Sequence, residues 1–322
     1  MDAMNSKVLK RPKIKITSVW LIFFIFLAVF ILLSIAAPGF FRGRNFITIL
    51  RYSSFSGLIA IGMTFVMIGG GIDLSVGSIL GLVSMILAYA MPESGGMWTM
   101  LLLGLGVGLI CGAFNGAVVS SLKLPPFVIT IGSSQVFKGL AHLIYNSPTK
   151  TFSNNNFGLL GKHDLFDAIP LSFLIMLGVA VISALVLKYT VFGRKVYAIG
   201  SNASASRLAG ISSQKVGFWT YLISGLLSGL AGVIVTSQNG SGIATAGLNS
   251  EMDAIAAVVL GGGSLSGGKG GIVGTIIAVL LLKIISNGMN LMNVQTYWQM
   301  VVQGALLIIA VIMDSVKNNA KE

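Results

Sequence analysis

The chain has 322 residues, of which 55% are hydrophobic and only 9% charged, with a mean hydropathy of +0.90. A soluble domain carries roughly 25% charged residues, so a soluble multidomain protein is excluded and lipid is the solvent to consider. The net charge of +12 does not imply nucleic acid as a partner, because no basic stretch is interleaved with aromatic residues for base stacking.

In chain order, a basic tail (1–18) carries Lys7, Lys10, Arg11, Lys13 and Lys15 ahead of an apolar run from Val19 to Ala37. That run exceeds the roughly 7 to 15 apolar residues of a signal peptide, so an uncleaved first span is expected. Apolar runs set against turn signals predict spans at 19–37, 55–70, 76–91, 97–122, 127–145, 169–190, 216–237, 253–262, 271–288 and 298–314. The eighth is too short to cross unaided and ends in Gly261-Gly262-Gly263. It reads as a re-entrant half-helix or as a crossing completed by flanking residues. The expected fold is all-α: one domain over 1–322, a polytopic integral membrane protein of about ten transmembrane helices with broken or re-entrant segments. With the N-terminus inside, fourteen Lys/Arg fall on the cytoplasmic side and five outside, while Lys138 and Lys283 lie within spans. Both termini are therefore expected in the cytoplasm, and Arg42, Arg44 and Arg51 are a local exception beside the first span.

Between the second and third runs stands Gly69-Gly70-Gly71, with Asp73 placed to cap the helix that follows. The same break can line a translocation path, since irregular backbone at membrane depth is tolerated beside a cavity or within protein. A weak internal repeat pairs this stretch (Leu74-Ser75, Gly77) with Gly261-Gly262-Gly263, Leu265-Ser266 and Gly267. In the fourth run Gly104, Gly108, Gly112 and Gly116 form one stripe, as do Gly225 and Gly229 in the seventh, so close backbone packing of helices is expected there.

Polar residues within or at the ends of spans are Asn115, Gln135, Lys138, His142, Asn287, Asn290, Gln299 and Gln303. Together with Asp73, the residues Asn115, Gln135, Asn287, Gln299 and Gln303 are candidates to line a path for a hydroxylated solute. Bonding between helices is the competing account for each. Cys111 is the one cysteine, so disulfides within the chain are excluded; two histidines, His142 and His163, make no metal site, and no cofactor is expected. Gly263 to Gly270 nearly spells a phosphate-binding loop, but Gly270 replaces the hydroxyl that Mg²⁺ needs and the loop joins two spans, so Lys269 is read as a decoy. No nucleophile or metal constellation suggests an enzyme.

The loop 191–215 is basic and contains a bounded short-helix pattern. Ser201 or Asn202 can cap its start, Ala203, Ala205 and Leu208 give a small apolar face, and Gly210 can supply a left-handed stop. So short a helix is marginal alone and is expected to dock on something. Here Gly193-Arg194, Tyr197 to Asn202 and Ala205 to Ile211, with Gly71 to Ser78 and Asp253 to Gly262, resemble the ribose/xylose-type permeases of ATP-binding-cassette importers. The likeness covers nearly the whole chain. It implies a homodimer in the bacterial inner membrane, a cytoplasmic ATPase partner that hydrolyses ATP, and an extracytoplasmic sugar-binding protein. It also implies import of a ribose-like monosaccharide by alternating access. The loop then corresponds to the element that couples to the ATPase, through Ser201, Asn202, Ser204, Ala205, Ser206, Arg207, Leu208 and Gly210. Ser204 stands where the wider pattern has glutamate. A secondary transporter or channel for a small polar solute is the rival class.

Overall fold

The computed structural model describes residues 18–90, 96–122, 124–144, 147, 149–151 and 157–319. The basic tail lies outside them except for Ser18, where the first helix begins. Each expected span has a helix: α1 (Ser18–Ala36), α2 (Gly43–Ile68), α3 (Val76–Ala90), α4 (Met97–Leu122) and α5 (Pro126–Leu143) in the first half. A small outer region holds β1 (Thr149–Thr151), α6 (Gly158–Lys162), β2 (Asp164–Leu165) and β3 (Ile169–Pro170). Then come α7 (Leu171–Tyr189), α8 (Val191–Ser201), α9 (Ala203–Leu208), α10 (Ser213–Asn239), β4 (Ser241–Ile243), α11 (Ser250–Leu260), α12 (Ile272–Leu291) and α13 (Thr296–Asn319). Among the described residues seven helices are long and apolar enough to cross a membrane, and α3 is a shorter apolar one. The protein is an all-α polytopic membrane protein.

α2 and α10 form the buried centre, while α1 and α13 stand at the edge with large apolar side chains uncovered, among them Trp20, Phe24, Leu32, Ile308 and Ile312. Such surfaces are stable against lipid, not water. α2 begins twelve residues before the predicted span. Its polar stretch is carried inside the helix because Thr48, Ser53 and Ser54 each donate their hydroxyl to the carbonyl four residues back. Arg51, one of the arginines against the charge count, pairs with Asp164 at 2.7 Å.

The glycine stripe of α4 packs closely on a neighbouring helix, as its spacing suggests, and that helix is α10. A Cβ on Gly108 would lie 2.5 Å from the Gly225 carbonyl oxygen, and one on Gly112 would lie 2.7 Å from that of Tyr221. Helix backbones touch directly there.

The eighth run folds as a short helix, α11, preceded by non-helical chain packed on α3. α11 has only eleven residues, and before it the short strand β4 and the turns over 244–249 lie along α3, so that Gly242 abuts Ser84 and Ala88, Ala244 abuts Gly81, and Gly247 abuts Gly77. Ser84 donates no bond to this segment but accepts the Ile243 amide hydrogen at 3.1 Å, and β1 pairs antiparallel with β4. These partners satisfy backbone that no helix covers.

The internal repeat is exact in hydrogen bonding at the two helix ends. Gly71 N–H donates to the Val66 carbonyl (3.0 Å) and Gly70 N–H to that of Met67 (3.0 Å), with Gly70 at φ +85°. Likewise Gly263 N–H donates to Val258 (2.8 Å) and Gly262 N–H to Val259 (3.0 Å), with Gly262 at φ +96°. Both are left-handed glycine terminations that satisfy orphan carbonyls.

Candidate coupling helix and translocation path

The loop 191–215 folds as two helices joined at a single residue. Thr190 caps α8, its hydroxyl oxygen accepting from Gly193 N–H at 3.1 Å. Of the two candidate caps for α9, Asn202 fills the position, its side-chain oxygen accepting from Ala205 N–H at 2.8 Å. Ser201 ends α8 instead and donates its hydroxyl to the Tyr197 carbonyl. α9 stops at Gly210, whose φ is +78°, with Ile211 N–H bonded to the Ser206 carbonyl at 2.9 Å. That is the same left-handed termination as at the two breaks. Ser206 is the buried side chain of α9; Ala203, Ser204, Ala205, Arg207 and Leu208 are exposed, Leu208 at 92%. A six-residue helix held by a cap at each end therefore presents its apolar residues outward.

The path candidates fall in three places. Asp73 and Asn115 are fully buried and share Ser75. One Asp73 carboxylate oxygen accepts from Ser75 N–H (3.0 Å) and from the Ser75 hydroxyl (2.6 Å), and the other accepts from the Ser224 hydroxyl of α10 (2.8 Å). Asn115 Nδ2 donates to Ser75 Oγ at 2.7 Å. Tyr221 and Thr130 donate to the Ile72 carbonyl, so α4, α5 and α10 all hold the break between α2 and α3. Asp73, three residues ahead of the first residue of α3, thus closes a tight turn onto Ser75.

A second group gathers at the C-terminal end of α12. Asn287 and Asn45 exchange two amide hydrogen bonds at 2.9 Å, Gln299 donates to the Asn290 side chain at 2.7 Å, and Gln303 reaches Ser286 at 3.5 Å. Gln303 also lines a cavity of about 190 Å³ with Asn249, Met252 and Asp253. Gln135 is exposed on α5. Lys283, unusual within a span, is neutralised by Asp253 at 3.2 Å.

Sequence reading missed Ser75, Ser224 and Tyr221 as partners of the break; small polar residues three and four apart on α10 were the available signal. It also missed a cavity of about 470 Å³ beside the break, lined among others by Gly70, Ser120, Arg207, Ser213, Thr220 and Tyr221. The hydroxyl oxygens of Ser120 and Ser213 are buried behind this wall without a hydrogen-bond partner among the described residues. No group of three or more metal-ligating side chains occurs among the described residues.

Residues 45–311 match the family described as branched-chain amino acid transport system / permease component. The chain is 43% identical over 299 residues to the Ribose import permease protein RbsC of Bacillus subtilis, covering 91% of this chain and 92% of that one. It is 37% identical over 290 residues to RbsC of Escherichia coli (89% and 90% of the two chains). It is 30% identical to the Xylose transport system permease protein XylH of Haemophilus influenzae (88% and 92%). No solved structure matches it. The chain therefore belongs to this family of transport-system permease components, together with the ribose and xylose permeases it is similar to.

Proposed function

We propose that the chain is the membrane-spanning subunit of an ATP-binding-cassette importer that carries a monosaccharide, ribose in the first place, into the cytoplasm by alternating access. One observation carries the reading: in a chain similar to ribose import permeases, a short capped helix outside the long spans leaves Ala203, Ala205 and Leu208 uncovered. Uncovered apolar residues on a marginal helix call for a docking partner. That partner is a separate cytoplasmic ATPase, met by Ser201, Asn202, Ser204, Ala205, Arg207, Leu208 and Gly210, while the buried Ser206 faces this chain instead. An extracytoplasmic binding protein delivers the sugar, and two copies of the chain enclose the path in the bacterial inner membrane with all termini in the cytoplasm.

ATP hydrolysis takes place on the partner, and this chain supplies only the path. Asp73, Asn115, Gln135, Asn287, Gln299 and Gln303 are its proposed lining. Asn287 can serve it only by giving up its pair with Asn45. The cavity beside the α2/α3 break, lined in part by Ser120, Ser213, Thr220 and Tyr221, fits its cytoplasmic end. A sugar needs hydroxyl partners and no charge there, which matches the neutralised Lys283 and the fully hydrogen-bonded Asp73.

The test is reconstitution into liposomes with the ATPase and the binding protein of the same transport system. Radiolabelled ribose should accumulate only when ATP and the binding protein are both present. Accumulation driven by an ion gradient without ATP would make the chain a secondary carrier.

A further inference from the structure

We infer that Gly200 is a positioning residue that locks the α8–α9 element to both broken-helix ends at once, so that a push on α9 reaches the two breaks as one movement. The inference rests on the reading of the chain as an ATP-driven permease.

The two glycine terminations lie far apart in sequence but are joined through backbone. Ile68 is the last residue of α2, and its carbonyl is one of the orphan acceptors at a helix end. It accepts the Gly268 amide hydrogen at 2.8 Å, from the loop that follows α11. α8 lies on this junction with its glycine. A Cβ on Gly200 would overlap the Ile68 carbonyl oxygen and come within 2.5 Å of the Gly268 nitrogen. A Cβ on Gly267, at φ +85°, would lie 2.8 Å from the Gly200 carbonyl oxygen and 2.9 Å from the Gly70 Cα. One on Gly268, at φ +71°, would lie 2.8 Å from the Ser201 backbone. Three backbones thus touch with no side chain between them.

Two side chains of α8 fasten the contact. Tyr197, one turn before Gly200, donates its hydroxyl to the Gly270 carbonyl at 2.9 Å, and Val196 is fully buried with a methyl 3.8 Å from where a Cβ on Gly69 would stand. At the other end, Asn202 both closes α8 and caps α9, so no flexible linker separates the docking helix from the junction. Side chains in a helix contact can change rotamer and absorb a small displacement; backbone against backbone cannot. Moving α8 by a fraction of an ångström therefore moves Ile68 and Gly268 with it or breaks their hydrogen bond. The break after α2 holds Asp73 and borders the cavity of Ser120 and Ser213, so the junction connects the docking surface to the proposed cytoplasmic end of the path.

The experiment measures sugar transported per ATP hydrolysed in liposomes containing the full complex, for wild type, Gly200→Ala and Tyr197→Phe. Gly200→Ala inserts a methyl group into the junction and should lower this ratio at least tenfold in complexes that still assemble. Tyr197→Phe removes one hydrogen bond and adds no atoms, so it should fold as wild type and lower the ratio severalfold. If Gly200→Ala does not assemble, the ratio for Tyr197→Phe decides. A wild-type ratio in Tyr197→Phe, or in assembled Gly200→Ala, overturns the inference while leaving the transport reading intact. A wild-type complex without ATP-dependent uptake overturns the transport reading itself.

Discussion

At the scale of single residues, the buried polar groups divide into those with every bond made inside the protein and those with bonds to spare. Asp73 accepts three hydrogen bonds from Ser75 and Ser224. A buried donor left without its acceptor costs about 1–3 kcal/mol, so thermal midpoints in detergent should fall in the order wild type, Asp73→Asn, Asp73→Leu. Equal midpoints would show that the carboxylate does not hold the break. The paired amides of Asn45 and Asn287 make a sharper case. Asn287→Leu should destabilise by about 1–3 kcal/mol by stranding the Asn45 amide, and adding Asn45→Leu should recover part of the loss, as a double-mutant cycle on unfolding would show. Sequence placed Asp73 in the break just ahead of α3, but not its partners, because Ser224 lies 151 positions away. It left Asn287 open between path and tie, because a partner 242 positions away leaves no local trace.

At the scale of elements, glycine has two separate uses. On α4 it permits contact, so Gly108→Val, which drives a side chain into the Gly225 carbonyl, should lower the yield of monodisperse protein severalfold. Gly106→Ala on the same helix meets nothing within 4 Å and should be neutral by the same size-exclusion measurement. At Gly210 glycine supplies a left-handed turn, and Gly210→Val should loosen the end of α9 at a cost of about 1–2 kcal/mol. The order of helices, the close-packing glycine faces of α4 and α10 and the stop of α9 were legible because each depends on local periodicity or one φ angle; that those two faces meet each other was not. Nor was the non-helical run into α11. Its partner surface is the stripe Gly77, Gly81, Ser84 and Ala88 on α3, and small residues at that spacing equally suggest a neighbouring helix. Only the contacts of Gly242, Ala244 and Gly247 with that stripe show that the neighbour is β4 and the turns after it.

At the scale of the whole molecule, the account joins an orientation, a docking helix and a path. The proposed orientation, with both termini in the cytoplasm, rests on the excess of Lys/Arg on one side. In a Cys111→Ser background, Ser204→Cys should react with an impermeant thiol reagent only from the cytoplasm and Ala168→Cys only from outside; the reverse pattern would invert the topology. The docking helix bears the central claim, that α9 couples this chain to an ATPase. Ala205 is the third residue of α9 and exposed, where an acidic side chain suits the positive end of the helix, so Ala205→Asp should leave α9 and the bundle folded. In a buried contact with a partner the same carboxylate is an unpaired charge worth about 2–5 kcal/mol, a loss of roughly thirty- to several-thousand-fold in association. On a solvated loop it would cost less than about 0.5 kcal/mol. The measurement is ATP-dependent ribose uptake by the Ala205→Asp complex, with monodisperse insertion checked in the same preparation. The account predicts that correctly inserted Ala205→Asp protein loses uptake and co-purification with the ATPase; uptake at the wild-type rate would contradict it.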